Sequence, residues 1–334
     1  MVTEQNIIAN KRSWKIGTDL LLESGRSIQN PELTYHTFGE LNDSRDNVIW
    51  VFHALTANSN VYDWWTGLFG ENSLMNPDRH FIICVNTIGS PYGSTAPQNF
   101  NFPFFTVRDI VKAQLLLAKH LNITDIFLLM GGSFGGSQAL EFAHSFQGRI
   151  QQMALIACAT KESAWGIAIH QAQRLALQAD PTFGRNNGGS KGLGAARAIG
   201  LLSYRTGDAF VAKQTDTDDR IENHRAASYI NYQAKKLVNR FSALSYYYLI
   251  NCLDTHNLGR ERGGVESALS EISVRSLIIG IDSDQLLPVY LQKEIANGLP
   301  HGKYVEIQSD FGHDGFLIET EQIVTHLLEF INND

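Results

Sequence analysis

Short apolar runs alternate with helical stretches along most of this chain, and this alternation restricts the fold more than any other feature of the sequence. Most of the runs are apolar throughout rather than at every second position, which indicates strands buried on both faces. Such strands with helices between them predict a mostly parallel sheet flanked by helices. The predicted strands are Asn47–Phe52, His80–Asn86, Ile126–Met130, Met153–Cys158, Ser276–Ile281 and Lys303–Ile307. The predicted helices are Thr106–His120, Gly136–Phe146, Leu291–Gly298 and Glu319–Phe330.

The alternation stops at about Ala159 and resumes at about Val274. In between, the sequence is rich in Gln, Asn, Ala and Arg, with a Gly/Asn-rich break at Asp180–Gly194. Helical patterns there cover Glu162–Gln178, Gly192–Ser203 and Ala226–Val238. We therefore predict a core made of residues 1–159 and 274–334, with a helical lid at 160–273 inserted over the strand ends.

Composition and charge exclude several classes of protein. The 334 residues are 43% apolar and 18% charged, which is typical of a globular protein and not of a disordered or coiled-coil one. A net charge of −7 argues against nucleic acid as a partner. The charge is unevenly distributed, however, because the stretch from Arg185 to Arg240 contains ten Lys/Arg but only five Asp/Glu. This excess is interpreted either as a solvated helical face or as a groove for an anionic cosubstrate.

The cysteines and the N-terminus predict a cytoplasmic protein without a membrane anchor. Three cysteines, Cys84, Cys158 and Cys252, are widely spaced and form no CxxC motif, so neither disulfides nor a metal site is expected. The segment Met1–Lys15 is polar and does not resemble a signal peptide. No apolar run approaches the roughly 20 residues that a membrane-spanning helix needs.

Gly131-Gly132-Ser133-Phe134-Gly135 has the pattern of a nucleophile on a tight turn between a strand and a helix. It follows the apolar run Ile126–Met130 and precedes a helical pattern, as this turn requires. A second match, Gly188-Gly189-Ser190-Lys191-Gly192, follows a loop rather than a strand. We therefore predict Ser133 as the nucleophile and interpret Ser190 as an N-cap of the next helix. The turn also places the Phe134 N–H where it helps to stabilise an oxyanion.

The base and its acid must follow the nucleophile along the chain, in the order Ser, acid, His. Three histidines come late enough. His326 lies in a helical pattern and His301 in a Pro-His-Gly turn, whereas His313 lies in a loop after a strand, where a base projects best. The acid should follow the strand Ser276–Ile281, and position alone leaves Asp282 and Asp284 both open.

The second oxyanion donor should come from the loop after an early strand, here His53-Ala54-Leu55-Thr56. This loop lacks the glycines of a lipase-type motif. We interpret the His53 side chain itself as a buried structural residue.

These motifs, taken together and in order, resemble the homoserine O-acetyltransferase family over about Leu33 to Phe330, on an α/β-hydrolase fold. The matching segments are HALTANS (53–59), YGST (92–95), FFTVRDIV (104–111), GGSFGGSQALEFA (131–143), GLGAARAIGLLSYR (192–205), DTHNLGRERGG (254–264), GIDSDQLLP (280–288) and GHDGFLIE (312–319). Phe134 departs from the pattern, since the family usually has Met after the nucleophile.

The resemblance implies a role for each candidate residue. It makes Ser133 the nucleophile, Asp284 the triad acid and His313 the base. It implies an oxyanion hole built from the backbone N–H groups of Leu55 and Phe134. It further implies that Arg197 and Asp314 hold the amino-acid acceptor, with Tyr204 and Thr56 near it.

The implied reaction is a ping-pong transfer of an acetyl group from acetyl-CoA to L-homoserine, without a metal or other cofactor. The resemblance also implies a homodimer that packs through the lid. Three alternatives remain open from the residues: a succinyl-CoA-dependent or serine-directed relative, an esterase or thioesterase, and a non-catalytic binding protein. The last is disfavoured because Ser133 and His313 are both present.

Overall fold

The computed structural model describes residues 7–71 and 73–333 of the chain. The first six residues of the segment in which we searched for a signal peptide lie outside this range. The strands are β1 (Asn10–Lys15), β2 (Leu20–Leu21), β3 (Ser27–Ile28), β4 (Glu32–Phe38), β5 (Val48–Phe52), β6 (Phe81–Val85), β7 (Asp125–Gly132), β8 (Arg149–Ile156), β9 (Arg275–Ile281) and β10 (Gly302–Ile307). All six predicted strands are confirmed, as β5 to β10.

The helices form two groups. Those that flank the sheet are α1 (Val107–His120), α2 (Phe134–Ser145), α9 (Val289–Gly298), α10 (Gly315–Ile318) and α11 (Thr320–Asn332). Those between β8 and β9 are α3 (Ala164–Gln178), α4 (Ser190–Tyr204), α5 (Gly207–Gln214), α6 (Arg225–Val238), α7 (Ala243–Asp254) and α8 (Val265–Ser270). All seven predicted helices are present, whereas α5, α7, α8 and α10 were not predicted.

Eight of the strands form one sheet in the order β1-β4-β6-β5-β7-β8-β9-β10. The pairs β1–β4 and β4–β6 are antiparallel, and every other neighbouring pair in this sheet is parallel. This confirms the mostly parallel sheet, with an antiparallel edge that was not predicted. The carboxyl ends of β5, β7, β9 and β10 therefore lie along one edge, and the residues that follow them meet there.

The centre of the sheet is buried on both faces, and strand β5 shows why a central strand is apolar throughout. All five of its residues are buried. Val48, Trp50 and Phe52 belong to the apolar core on one side of the sheet, whereas Ile49 and Val51 belong to the core on the other side. Successive side chains of a strand point to opposite faces, so a strand between two cores needs an apolar residue at every position.

Ion pairs and hydrogen bonds join the segment between β8 and β9 to the rest of the protein. Arg262, which follows α7, forms a bidentate pair with the buried Glu141 of α2. Near α7, the His256 Nε2–H donates to the Ala159 carbonyl at 3.1 Å. In the described part of the chain no helix is long and apolar enough to cross a membrane.

Candidate active site

Ser133 lies on the tight turn that joins β7 to α2. Its backbone adopts φ 56° and ψ −127°, a strained conformation for a residue with a side chain, and the strain holds the hydroxyl above the strand end. The flanking glycines make this turn possible. A Cβ atom at Gly131 would lie 2.3 Å from the Gly135 carbonyl oxygen, and one at Gly135 would lie 2.1 Å from that of Phe52. Only glycine fits at either position, which accounts for the spacing of the motif.

His313 lies between the predicted nucleophile and the predicted acid. Its Nε2 is 2.7 Å from Ser133 Oγ, and its Nδ1 is 2.6 Å from Asp284 Oδ2. The carboxylate can only accept, so Nδ1 carries the proton and Nε2 is free to accept from the serine hydroxyl. Both His313 and Asp284 are buried. A serine hydroxyl in this arrangement has the geometry of a nucleophile with a base and an orienting acid.

The structure separates the two aspartates that the sequence left open. Asp284 Oδ1 accepts the backbone N–H groups of Leu286 and Leu287, both at 2.9 Å, and its other oxygen faces His313. Asp282 Oδ1 instead accepts the Ser309 N–H at 3.0 Å and so ties the loop after β9 to the segment after β10. Asp284 is thus held in place against the imidazole, while Asp282 braces the loop.

The rejected candidates lie elsewhere. Ser190 is the first residue of α4, and Gly189 occupies the N-cap position, so our N-cap interpretation of Ser190 was wrong by one residue. Gly189 takes that position with φ 84°, a left-handed conformation that suits glycine. His326 lies on α11 with its Nδ1 3.8 Å from the Glu329 carboxylate, and His301 lies in the exposed turn before β10.

Burial and charge act in opposite directions on His313. Burial lowers the pKa of its imidazole, whereas the Asp284 carboxylate raises it by charge and by hydrogen bonding. The negative charges of Asp314 and Glu162 raise it further, and the net effect is a pKa above the ordinary 6.5. A raised pKa makes the neutral imidazole a stronger base for the proton of a serine hydroxyl.

The two predicted oxyanion donors lie beside Ser133. Leu55 and Phe134 line the same cavity as its side chain. Phe134 is the first residue of α2, and the N–H groups of a first helical turn have no acceptor within the helix. The peptide that carries the Leu55 N–H is held by His53, whose Nδ1–H donates to the Ala54 carbonyl at 2.8 Å. Nε2 of the same ring accepts the Thr87 N–H at 3.0 Å.

His53 is buried, as expected from the sequence. Burial lowers its pKa to about 4, and the hydrogen bond to Ala54 offsets this only in part. The ring is therefore neutral at physiological pH, with one nitrogen as donor and the other as acceptor.

The site opens into a cavity of about 540 Å³, which the segment between β8 and β9 helps to enclose. It is lined by Arg197 and Asp314, which the resemblance implies as acceptor ligands, and by Tyr204 and Thr56, which it places near the acceptor. The Arg197 guanidinium carbon lies 5.5 Å from the centre of the Tyr204 ring. Among the described residues Arg197 forms no ion pair, and its Nε is buried without a hydrogen-bond partner. A cation left unpaired in a cavity is suited to bind a carboxylate.

Asp314 has an ion-pair partner that the resemblance does not imply. Its Oδ2 is paired with Arg205 Nε at 2.8 Å, and both side chains are largely buried. Arg205 stands at the end of α4, directly after Tyr204. The sequence motif contains this arginine, but nothing in the motif indicates that it contacts the residue after His313.

Two further groups in the cavity were not predicted. Glu162 lines it, and burial raises the pKa of its carboxyl above the ordinary value. His170 of α3 also lines it, with its Nδ1 2.7 Å from Asp254, which in turn pairs with Arg174. His170 and Arg174 meet Asp254 because α3 packs against α7. In the part of the chain that the structure describes, no cluster of three or more His, Cys, Asp or Glu side chains is arranged to hold a metal ion.

Comparison with known proteins adds to this geometry. Residues 47–320 match a family described by the alpha/beta hydrolase fold. The homoserine O-acetyltransferase of Cyclobacterium marinum is 42% identical over 323 residues, which cover 93% of this chain and 92% of that protein.

Solved structures share the fold at lower identity. The crystal structure of homoserine O-acetyltransferase from Bacillus anthracis has a TM-score of 0.90 and 21% identity, with 98% of each chain covered. That of esterase E22 has a TM-score of 0.87 and 22% identity, and covers 97% of this chain and all of the other. The same fold thus serves proteins named for transfer and for hydrolysis, so the likeness of fold does not distinguish the two reactions.

Proposed function

Because this chain belongs to the homoserine O-acetyltransferase family, we propose that it transfers an acetyl group from acetyl-CoA to the hydroxyl of L-homoserine. The observation that carries the proposal is the position of Arg197, which forms no ion pair among the described residues, in the same cavity as the Ser133–His313–Asp284 hydrogen-bond chain. The hydrogen bonds from Ser133 to His313 and on to Asp284 supply a nucleophile, which any esterase of this fold needs. The arginine supplies an anchor for a carboxylate, which an amino-acid acceptor carries.

In the proposed first half-reaction, His313 Nε2 takes the proton of Ser133 as Oγ attacks the thioester carbonyl. The Leu55 and Phe134 N–H groups hold the oxyanion that forms. Collapse of the tetrahedral intermediate breaks the C–S bond, and the thiol leaves with the proton from His313. Asp284 keeps the imidazole in the required tautomer and stabilises its charged form. Ser133 then carries the acetyl ester.

In the proposed second half-reaction, the homoserine hydroxyl attacks the acetyl ester while His313 accepts its proton. Arg197 binds the carboxylate of the acceptor, and the free oxygen of Asp314 accepts from its ammonium group. Tyr204 and Thr56 line the cavity beside them. Fixing the hydroxyl at the acyl carbon gives the acceptor a high effective concentration, so that it outcompetes water. Collapse of the second tetrahedral intermediate breaks the bond between Ser133 Oγ and the acyl carbon, and His313 returns the proton to Oγ as O-acetylhomoserine leaves. The scheme requires no metal or prosthetic group.

Release of CoA thiol, measured with and without L-homoserine, distinguishes a transferase from a hydrolase. We expect the wild type to release thiol slowly without the acceptor and rapidly with it. Arg197→Ala should raise the homoserine KM by about 10- to 100-fold, since a charge-assisted contact is lost. Acetylation of Ser133, followed by mass in rapid-quench samples, should change little in this variant. Arg185→Ala, an exposed arginine of the same segment that does not line the cavity, is the control.

Two results would contradict the proposal. One is equal thiol release with and without homoserine, together with no effect of Arg197→Ala, which would favour an esterase. The other is a label found on Ser190 instead of Ser133. The same assay with succinyl-CoA and with L-serine identifies the donor and the acceptor.

We also propose that the protein acts in methionine biosynthesis in the cytoplasm and as a homodimer through the lid. The product is a methionine precursor, and three free cysteines fit a reducing compartment. An exposed apolar face of α3 supports the dimer, since its Trp165 and Leu175 are each 58% exposed. A Trp165→Glu/Leu175→Glu variant should elute as a monomer in size-exclusion chromatography with light scattering, whereas an unchanged mass would rule out this face as the interface.

A further inference from the structure

Most residues that line the cavity containing Ser133 are buried or half-buried, but a few are exposed and charged. Four of the residues that line it are exposed: Asp63, Lys161, Lys236 and Arg240. Three of these four carry a positive charge. As exposed members of the lining, they lie where the cavity meets solvent, here called its mouth.

In the part of the chain that the structure describes, none of the three cations has an anionic partner. Among the described residues, Lys161 and Lys236 form neither an ion pair nor a side-chain hydrogen bond. Arg240 donates only from Nη1, to the Thr56 carbonyl and to the Tyr92 hydroxyl. These contacts hold the side chain at the mouth and leave Nε and Nη2 with no partner in the described residues. A guanidinium anchored on one side with a free N–H edge is suited to bidentate binding of a phosphate.

Asp63 offsets only one of these three positive charges. Its carboxylate accepts from the Asn60 side-chain amide at 2.8 Å and from that of Asn58 at 3.4 Å, and it forms no ion pair among the described residues. The exposed residues at the mouth therefore carry a net charge of about +2, close to an opening with low-dielectric walls. Such a mouth attracts anions and concentrates them near the site.

We propose that Lys161, Lys236 and Arg240 form a binding site for the phosphate groups of coenzyme A. This inference rests on the proposed function. When the thioester reaches Ser133, the pantetheine arm must run out through the mouth, and the phosphorylated nucleotide at its far end then meets the exposed cations. Lys236 and Arg240 also stand at the end of the positively charged stretch between Arg185 and Arg240. A groove for an anionic cosubstrate was one of the two interpretations of this positively charged stretch.

Two donors that differ in their phosphates test the proposal. Acetyl-CoA and S-acetylpantetheine carry the same thioester and the same arm, but only the former has phosphate groups. We expect Lys161→Ala/Lys236→Ala to raise the KM for acetyl-CoA about tenfold, since two exposed charged contacts are lost. The KM for S-acetylpantetheine should change less than about twofold. The wild-type preference for acetyl-CoA should also shrink as the salt concentration rises.

Lys235→Ala is the matched control. Lys235 precedes Lys236 on α6 and is also exposed, but it does not line the cavity. Equal losses with both donors would overturn the phosphate site, as would an unchanged KM for acetyl-CoA or a Lys235→Ala effect as large as that of the double variant. Failure of the wild type to acetylate homoserine from either donor would instead refute the proposed function.

Discussion

The Nδ1 atom of His53 lies 2.8 Å from the carbonyl oxygen of Ala54. That carbonyl belongs to the same planar peptide as the Leu55 N–H, so a bond to one end of the peptide fixes the direction of the other. The opposite edge of the ring accepts the Thr87 N–H. His53 is thus a positioning residue for the proposed oxyanion donor rather than only a part of the core.

Two substitutions separate the two bonds of His53. The amide of Asn reaches the position of Nδ1, and that of Gln reaches the position of Nε2. His53→Asn therefore keeps the donor to Ala54, whereas His53→Gln loses it. We expect His53→Gln to lower kcat about 100-fold, as loss of one oxyanion donor does. His53→Asn should lose less than about tenfold, since it keeps that donor.

A difference in kcat between His53→Asn and His53→Gln excludes a purely structural role of His53 if the two variants are equally stable. Urea unfolding gives the stability of each, and the homoserine KM should stay close to that of the wild type in both. If His53→Asn and His53→Gln lost kcat equally at equal stability, the orientation of the Ala54–Leu55 peptide would not depend on the bond to Ala54.

Substitution by asparagine should have different effects on activity at Asp284 and at Asp282. In Asp284→Asn the amide oxygen would still accept from Leu286 and Leu287, but the NH2 group would face His313 Nδ1 and favour the wrong tautomer. We expect Asp284→Asn to lower kcat by about 10⁴-fold. Asp282→Asn keeps an oxygen for the Ser309 N–H, so its loss should stay below about tenfold.

The rate of Ser133 acylation in a single turnover with acetyl-CoA measures the effects of Asp284→Asn and Asp282→Asn in the absence of the acceptor. Ser133→Ala, which abolishes the acyl-enzyme, gives the baseline. The reverse ranking of the two aspartate variants would show that the acid is Asp282.

The sequence predicts best what depends on burial and chain order. Strands β5 to β9 were predicted because their apolar runs are largely buried, and the proximity of Ser133 and His313 was expected because each follows a strand of the sheet in the required order. Strand β1 was missed because its residues, Asn10–Lys15, are mostly exposed and polar. Helix α7 was missed because it is buried on several sides and shows little amphipathic periodicity.

Side-chain contacts between distant segments could not be predicted. The Arg205–Asp314 pair joins residues 109 positions apart, and it forms only because α4 packs against the loop after β10. The choice between Asp282 and Asp284 depends on which carboxylate turns toward the imidazole, a difference that two residues of spacing do not encode. The family pattern selected Asp284 but gave no role to Arg205.

Buried histidines make stability depend on pH. Burial lowers the pKa of His256 to about 4, and the ring donates from Nε2 to the Ala159 carbonyl. In the unfolded chain this histidine takes up a proton near pH 6.5, whereas in the folded protein it does so only near pH 4. As the pH falls through this window, the unfolded state is favoured. Between pH 7.5 and 5.5 this costs about 1.4 kcal/mol for one such histidine.

His256→Gln isolates this contribution, because its amide keeps a donor for Ala159 and does not titrate. Urea unfolding at pH 7.5 and 5.5 should show a smaller loss of stability in the variant than in the wild type, by about 1.4 kcal/mol. His53 should contribute in the same direction in both proteins and therefore cancels. An equal loss in the two proteins would show that His256 titrates normally when folded.

The charge around His313 should set the acid limb of activity. The base must be neutral to accept the serine proton, and its pKa is raised by Asp284, Asp314 and Glu162 after burial has lowered it. Activity should therefore fall as the pH drops through a pKa above 6.5. In kcat/KM for acetyl-CoA this limb reports the free enzyme, and the acceptor takes no part in it. Asp314→Asn removes a nearby negative charge and should move the limb to lower pH.

Arg205→Ala should move the same limb in the opposite direction. Without its guanidinium the carboxylate of Asp314 is no longer neutralised at 2.8 Å, and it attracts the proton of His313 more strongly. Arg205→Lys keeps the charge and should leave the limb close to its wild-type position, which controls for the loss of packing. The measurement is the pH profile of CoA release at low acetyl-CoA concentration. Shifts of the same sign in Asp314→Asn and Arg205→Ala would contradict an electrostatic link through this ion pair, because the two changes alter the charge beside His313 in opposite directions.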